Sequence, residues 1–262
     1  MDQQSSLVSR TSTLFAQGAS AYCAAAALAG AIGVGLTLAM TFGIGLQINA
    51  EPFDPVTIWR AMSGGERVVL IAGLLLAIWL PVLLGARGVC RITFDLLANR
   101  KPSPTKVLID MARFVPTAIV YSFFFGVPTL VASSCLYFPA LLVVSFFTLV
   151  IPAGLNEGAN LLQALKRGYS LAGKIYGKIL FATVVSVALV AVAVALRVFL
   201  LDSLISGSHM LVLAIRMTLV FVPGFLVLIL ANICFTLLYL EVRAEEASFS
   251  QQNTAAASSG GN

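Results

Sequence analysis

Arg87, Arg91 and Asp95 stand four residues apart, a spacing that sets them in one polar stripe along a helix. Further on, Asn156, Glu157 and Asn160 sit where a charge-free run ends, and Arg167 follows within a basic segment. If these groups meet, an arginine neutralises Glu157. The assembly is then either an ion-paired cuff holding helix ends or a site for a lipid headgroup or another anionic ligand. Charged groups at membrane depth point to function, and near the interface that inference weakens. Snorkelling, or pairing of Arg197 with Asp202, accounts for Arg197 and Arg216; the sharper alternative is an outward-facing basic patch for an anionic substrate.

Other chemistries lack their residues. His209 is the only histidine. No Cys, His or carboxylate cluster stands near it in sequence to complete a zinc ligand set or a triad. Gly30-Ala-Ile-Gly33-Val-Gly35 lies inside an apolar run, so it is not a phosphate loop between a strand and a helix. Cys23, Cys90, Cys135 and Cys234 are scattered; they form no CxxC pair and read as small packing residues. The runs hold no mid-span acid for a proton relay. The sequence therefore nominates no catalytic residue, no metal ligand and no cofactor site.

The elements that position these residues follow from charge. In 262 residues, 59% are hydrophobic and 10% charged, with a mean hydropathy of +0.98; soluble domains carry about 25% charged residues. No charge occurs between Arg10 and Glu51, Arg67 and Arg87, Arg113 and Glu157, Lys178 and Arg197, or Arg216 and Glu241. These runs are long enough for helices to cross a hydrocarbon core, which takes about 20 residues. They show no in/out alternation, so a barrel is excluded. The first run is also longer than a signal-peptide core of about 7–15 residues.

The chain divides into a polar arm over residues 1–20 at the membrane surface, a six-span domain over 21–242, and a disordered tail over 243–262. Ala and Gly crowd span 1, allowing close helix approach. Loop 1 holds Trp59, suited to an interfacial position. Span 2 begins near Val68, and its helix continues inward through Asn99. Ser103-Pro104 is a helix start. Leu108, Met111, Ala112 and Val115 then oppose Lys106, Asp110 and Arg113, so a short amphipathic helix is expected on the inner leaflet, ended by Pro116. A second such helix places Leu162, Leu165, Tyr169, Ala172 and Tyr176 on one stripe, before span 5. Pro81 and Pro223 mark candidate kinks.

Arg87, Arg91, Arg100, Lys101, Lys106 and Arg113 fall in one segment, and Lys166, Arg167, Lys174 and Lys178 in another. The positive-inside rule puts both in the cytoplasm. An even number of crossings must separate them, so residues 114–156 hold two spans turning near 133–139. The expectation is an all-α bundle of six spans, with two basic surface helices and both termini inside, in a bacterial cytoplasmic membrane. Its net charge of +5 then belongs to the inner face and faces lipid, not nucleic acid.

Asn156-Glu157-Gly158-Ala159-Asn160 and Ala164-Leu165-Lys166-Arg167-Gly168-Tyr169-Ser170-Leu171, with Leu238-Tyr239-Leu240-Glu241-Val242-Arg243, resemble the six-helix membrane domain fused to some bacterial glycerophosphodiester phosphodiesterases and its stand-alone relatives. There an amphipathic helix precedes span 5, and a Tyr-x-x-x-Arg element, here Tyr239 and Arg243, closes the last span. The phosphodiesterase activity of that group belongs to a separate soluble domain. The resemblance therefore implies the bundle and a place near lipid, not hydrolysis.

Two functions fit. One is a non-catalytic membrane protein acting through anionic lipid headgroups, a membrane-protein partner or a second copy of itself. The alternative is a transporter or permease-like subunit for a small or lipid-like substrate, since broken helices can line a path.

Overall fold

The computed structural model describes residues 2–43, 63–135, 141–142, 144–145, 147–157, 160–201 and 210–259. Loop 1 through Trp59, the turn near 133–139, Asp202 and His209 lie outside these, as do the side chains of Cys135, Arg197, Arg216 and Pro223. The described chain forms seven helices: α1 (Asp2–Gly43), α2 (Gly64–Leu97), α3 (Pro104–Cys135), α4 (Val150–Glu157), α5 (Leu161–Lys174), α6 (Tyr176–Leu201) and α7 (Met210–Ser259).

Four stretches are long and apolar enough to cross a membrane: Leu7–Met40, Gly64–Leu97, Pro104–Ala132 and Leu226–Phe249. A fifth is reached if α5 and α6, bent by 98° about Ile175, count as one broken span. The described residues thus support an all-α, multi-span bundle with four or five such elements.

α2 is the central helix, packing against α1, α3, α4 and α7. Ser63 opens it with a capping box, its backbone N–H donating to Glu66 Oε2 at 2.7 Å. This satisfies amide groups that have no partner inside the helix. At the other end Asn99 takes a left-handed φ of 55°. Asn tolerates that conformation, and the Asn99 and Arg100 N–H groups close on the Leu96 and Asp95 carbonyls. The chain reverses there into α3. The first half of α2 exposes Leu74 and Ile78, while Leu84, Val89, Cys90 and Ile92 in its second half are buried. The core is therefore densest where the charged segments converge.

Span 1 uses its small residues for packing, as expected. Ala21, Ala25 and Ala29 are buried at i, i+4, i+8. A Cβ on Gly88 of α2 would stand 3.0 Å from that of Ala25. Tyr22 completes the contact through a 2.9 Å hydrogen bond to Thr93. A second core joins Leu149 and Ala153 to Leu171 and Ala172 of α5, Ile179 of α6 and Leu238 and Tyr239 of α7.

Four expectations are corrected. The polar arm is not separate: it is the start of α1, with Leu14 buried and Gly18 against Leu96. Pro116 does not end a surface helix; α3 runs through it and Pro128. A proline forfeits one hydrogen bond, but neighbouring helices can compensate in a bundle. Here Val107, Met111, Ala118, Tyr121 and Phe125 make one continuous buried face across the proline. The α5 stripe is rotated: Ala164, Leu165, Leu171 and Ala172 face inward, while Leu162 and Tyr169 are exposed. Finally, helix continues through the segment expected to be a disordered tail, to Ser259.

Candidate functional site

The basic segments gather at one end of the bundle, in two separate networks. The first joins the C-terminal half of α2 to the start of α3. Arg87 Nε and Nη2 donate to the two oxygens of Asp110 at 2.9 and 3.1 Å. This is the planar, two-bond recognition that guanidinium and carboxylate geometries share. The Arg87 guanidinium also lies 5.1 Å from the centre of the Phe114 ring, a further attraction. Arg91 pairs within its own helix, 3.4 Å from Asp95.

The second network centres on Glu157, at the end of α4. Arg167 Nε donates to its Oε1 at 3.2 Å, and the Tyr239 hydroxyl donates to the same oxygen at 3.1 Å. Arg243 approaches it at 3.4 Å. Asn156 Nδ2 donates to the Tyr239 oxygen at 3.0 Å. Arg167 also reaches Glu246 through two nitrogens, and Lys174 shares that carboxylate. Lys178 pairs with Glu241 at 2.8 Å. Hydrogen bonding to Glu246 raises the Arg167 guanidinium above its ordinary pKa; burial opposes this and Glu157 adds to it. Arg167 is therefore a permanent cation binding α5 to both α4 and α7.

The six nominated residues thus divide. Arg87 and Arg91 do not neutralise Glu157: Arg87 pairs with Asp110 and Arg91 with Asp95, while Arg167 and Arg243 meet Glu157. Asn160 caps α5, its backbone N–H donating to Gln163 Oε1 at 3.2 Å. Sequence reasoning missed Asp110 and Glu246 as partners. Asp110 stands on the α3 stripe assigned to the polar side; Lys106 and Arg113 on that stripe are exposed, while Asp110 meets Arg87 of α2. Glu246 lies in the segment expected to be a tail, where only its place near Glu241 and Arg243 signals continued helix.

Side chains in these ion pairs are 18–52% exposed. At such exposure a single pair contributes about 0–1 kcal/mol. Their geometry orients helix ends more than it stabilises the whole. Two buried contacts complete the joint: Tyr22 with Thr93, and Thr236 Oγ1 with Cys90 Sγ at 3.2 Å. Among the described residues no group of three His, Cys, Asp or Glu is placed to hold a metal.

Beside the first network lies a cleft of about 390 Å³, walled by α2, α3, α4 and α5. Arg87, Asp110 and Asn160 line it. It thus contains two nominated residues from segments far apart in sequence.

Comparison of this chain with protein families, curated proteins and solved structures finds no match. The likeness to the phosphodiesterase membrane domain rests on the short motifs alone. What stands is a helical, apolar, multi-span bundle whose described part shows no metal cluster.

Proposed function

We propose that this chain is a non-catalytic protein of the bacterial cytoplasmic membrane, acting at the inner leaflet through anionic lipid or a partner protein. The observation that carries this reading is the convergence of charge. Arg87, Arg91, Arg167, Lys174 and Lys178 come from separate segments and meet near one end of the bundle. The exposed residues Lys106, Arg113 and Lys166 lie on α3 and α5 beside them. Such a rim attracts anionic lipid by about 1 kcal/mol for each basic residue not already paired with an acid.

We assign six crossings with both termini inside. Residues 141–157 and α6 supply the crossings beyond the four long elements. With that arrangement Lys101 and Lys178 share one side, as their charge requires. The motifs shared with the phosphodiesterase membrane domain support the same arrangement.

The test is purification in a lipid-preserving medium, followed by mass spectrometry of what remains bound. Enrichment of an anionic lipid over its share of the source membrane, or a stoichiometric protein partner, is the expected result. Bulk lipid composition with no partner would overturn the proposal.

A further inference from the structure

We infer that the cleft between α2, α3, α4 and α5 is a binding site for a singly charged phosphodiester with a hydroxyl-bearing headgroup, of the phosphatidylglycerol type. This rests on the lipid reading above and names its ligand chemistry and residues.

The first observation is charge balance. Arg87 and Arg113 line the cleft with Asp110. Asp110 is occupied on both oxygens by Arg87, and Arg113 has no ion-pair or hydrogen-bond partner among the described residues. The cleft therefore carries one net positive charge. A phosphodiester monoanion matches it, while a phosphomonoester dianion leaves a negative charge uncompensated in a partly desolvated place. Arg87 is held by Asp110 and Phe114 before any ligand arrives, so little ordering is needed on binding.

The second observation is independent of charge. Tyr121 lines the same cleft and is only 4% exposed, yet its hydroxyl makes no hydrogen bond among the described residues. The ring is fixed by stacking on Phe125, with centroids 5.0 Å apart. Buried hydroxyls nearly always find partners, and one without calls for a ligand or water to supply it. Thr117, one helical turn away, and Asn160 bring further polar groups to the lining. Asn160 suits a headgroup hydroxyl, and Thr117 and Tyr121, deeper along α3, suit the ester oxygens that follow the phosphate.

The third observation is depth. Arg113 is the last charged residue before the charge-free run of α3. Tyr121 lies eight residues beyond it, about 12 Å along the helix. Phe114, Val150 and Ile151 form the apolar wall. The cleft thus grades from basic to apolar, as a phosphate followed by acyl chains requires. Its volume of about 390 Å³ is that of a small-molecule pocket. It accommodates a headgroup and the first methylenes, with the chains leaving toward lipid.

The test titrates the purified full chain with phosphatidylglycerol, and separately with phosphatidylcholine of the same acyl chains, by native mass spectrometry. Arg113→Gln and Tyr121→Phe are compared with Lys106→Gln and Lys166→Gln, which remove basic groups outside the cleft. The expected result is one phosphatidylglycerol bound in preference to phosphatidylcholine. Arg113→Gln weakens it about tenfold or more, the loss of one charge-assisted hydrogen bond. Tyr121→Phe weakens it about threefold to tenfold on the same basis while raising the thermal midpoint of the lipid-free protein. The two lysine variants, which lose only the attraction of the rim, weaken it by no more than about fivefold. Deacylated glycerophosphoglycerol separates the sources. Displacement at matched concentration assigns the site to a soluble phosphodiester, and its failure to displace assigns the site to the lipid. Equal binding of the two lipids, or equal loss in the lysine variants, overturns the site and leaves the broader lipid reading intact. If wild-type protein retains neither lipid nor partner on purification, the broader reading itself has failed.

Discussion

Gly168 shows how one residue serves two levels of structure. A Cβ there would stand 2.8 Å from the Val150 backbone of α4, so α5 seats against α4 only because the side chain is absent. At Gly173, on the same helix, an added methyl would meet nothing within 4 Å. Gly168→Ala is expected to destabilise the protein by about 1–3 kcal/mol through overpacking. Gly173→Ala is expected to be neutral or to stabilise by up to about 1 kcal/mol, from helix propensity. Thermal unfolding in mild detergent checks both, and equal effects would sink the close-approach argument. Glu157 is the other decisive residue, since Arg167, Arg243 and Tyr239 all point to it. Glu157→Ala should cost about 1–3 kcal/mol because several donors lose one acceptor. Tyr239→Phe should cost about 0.5–1.5 kcal/mol. A double-mutant cycle reads their coupling, and strict additivity would show that they do not act together.

At the scale of elements, α3 and α7 run past the points where sequence signals stop. Pro116 is exposed inside a continuous helix. Restoring an N–H with Pro116→Ala should therefore raise the thermal midpoint, since an interior proline costs about 3 kcal/mol relative to alanine in an exposed helix. A fall would indicate that the proline separates two helices after all. The extension of α7 is testable by truncation. A chain ending at Ser248 keeps Glu246, which holds Arg167 and Lys174, and should unfold like the full chain. A chain ending at Ala244 loses that carboxylate and should unfold at lower temperature. If both behave alike, the α5–α7 joint contributes nothing.

For the whole molecule, the six-crossing arrangement makes a prediction about sides. Single reporter fusions at Lys101, Lys178 and the C-terminus should all report the cytoplasm, and one within residues 49–62 should report the outside. Lys101 and Lys178 on opposite sides would break the argument from charge, because an odd number of crossings would then separate them. The exposed apolar faces agree with a bilayer on the flanks. Val120, Phe124, Val127 and Val131 project from α3, and Phe181, Val185 and Val192 from α6.

Composition and charge spacing alone determined that this is an apolar, helical, multi-span chain with most of its basic residues in two segments. Those properties come from transfer free energy, which each segment satisfies by itself. The start of α3 at Pro104 and the end of α2 near Asn99 were legible too, because caps are local. Partner choice was not. Whether Glu157 is met by Arg87 or by Arg167 depends on how α4, α5 and α7 pack, and the charges themselves are equivalent. The inward face of α5 likewise depended on Gly168 lying against α4, a contact between distant turns. The cleft that joins Arg87, Arg113 and Tyr121 to Asn160 exists only where four helices meet. Tertiary structure alone decided it, because no single helix encloses a volume.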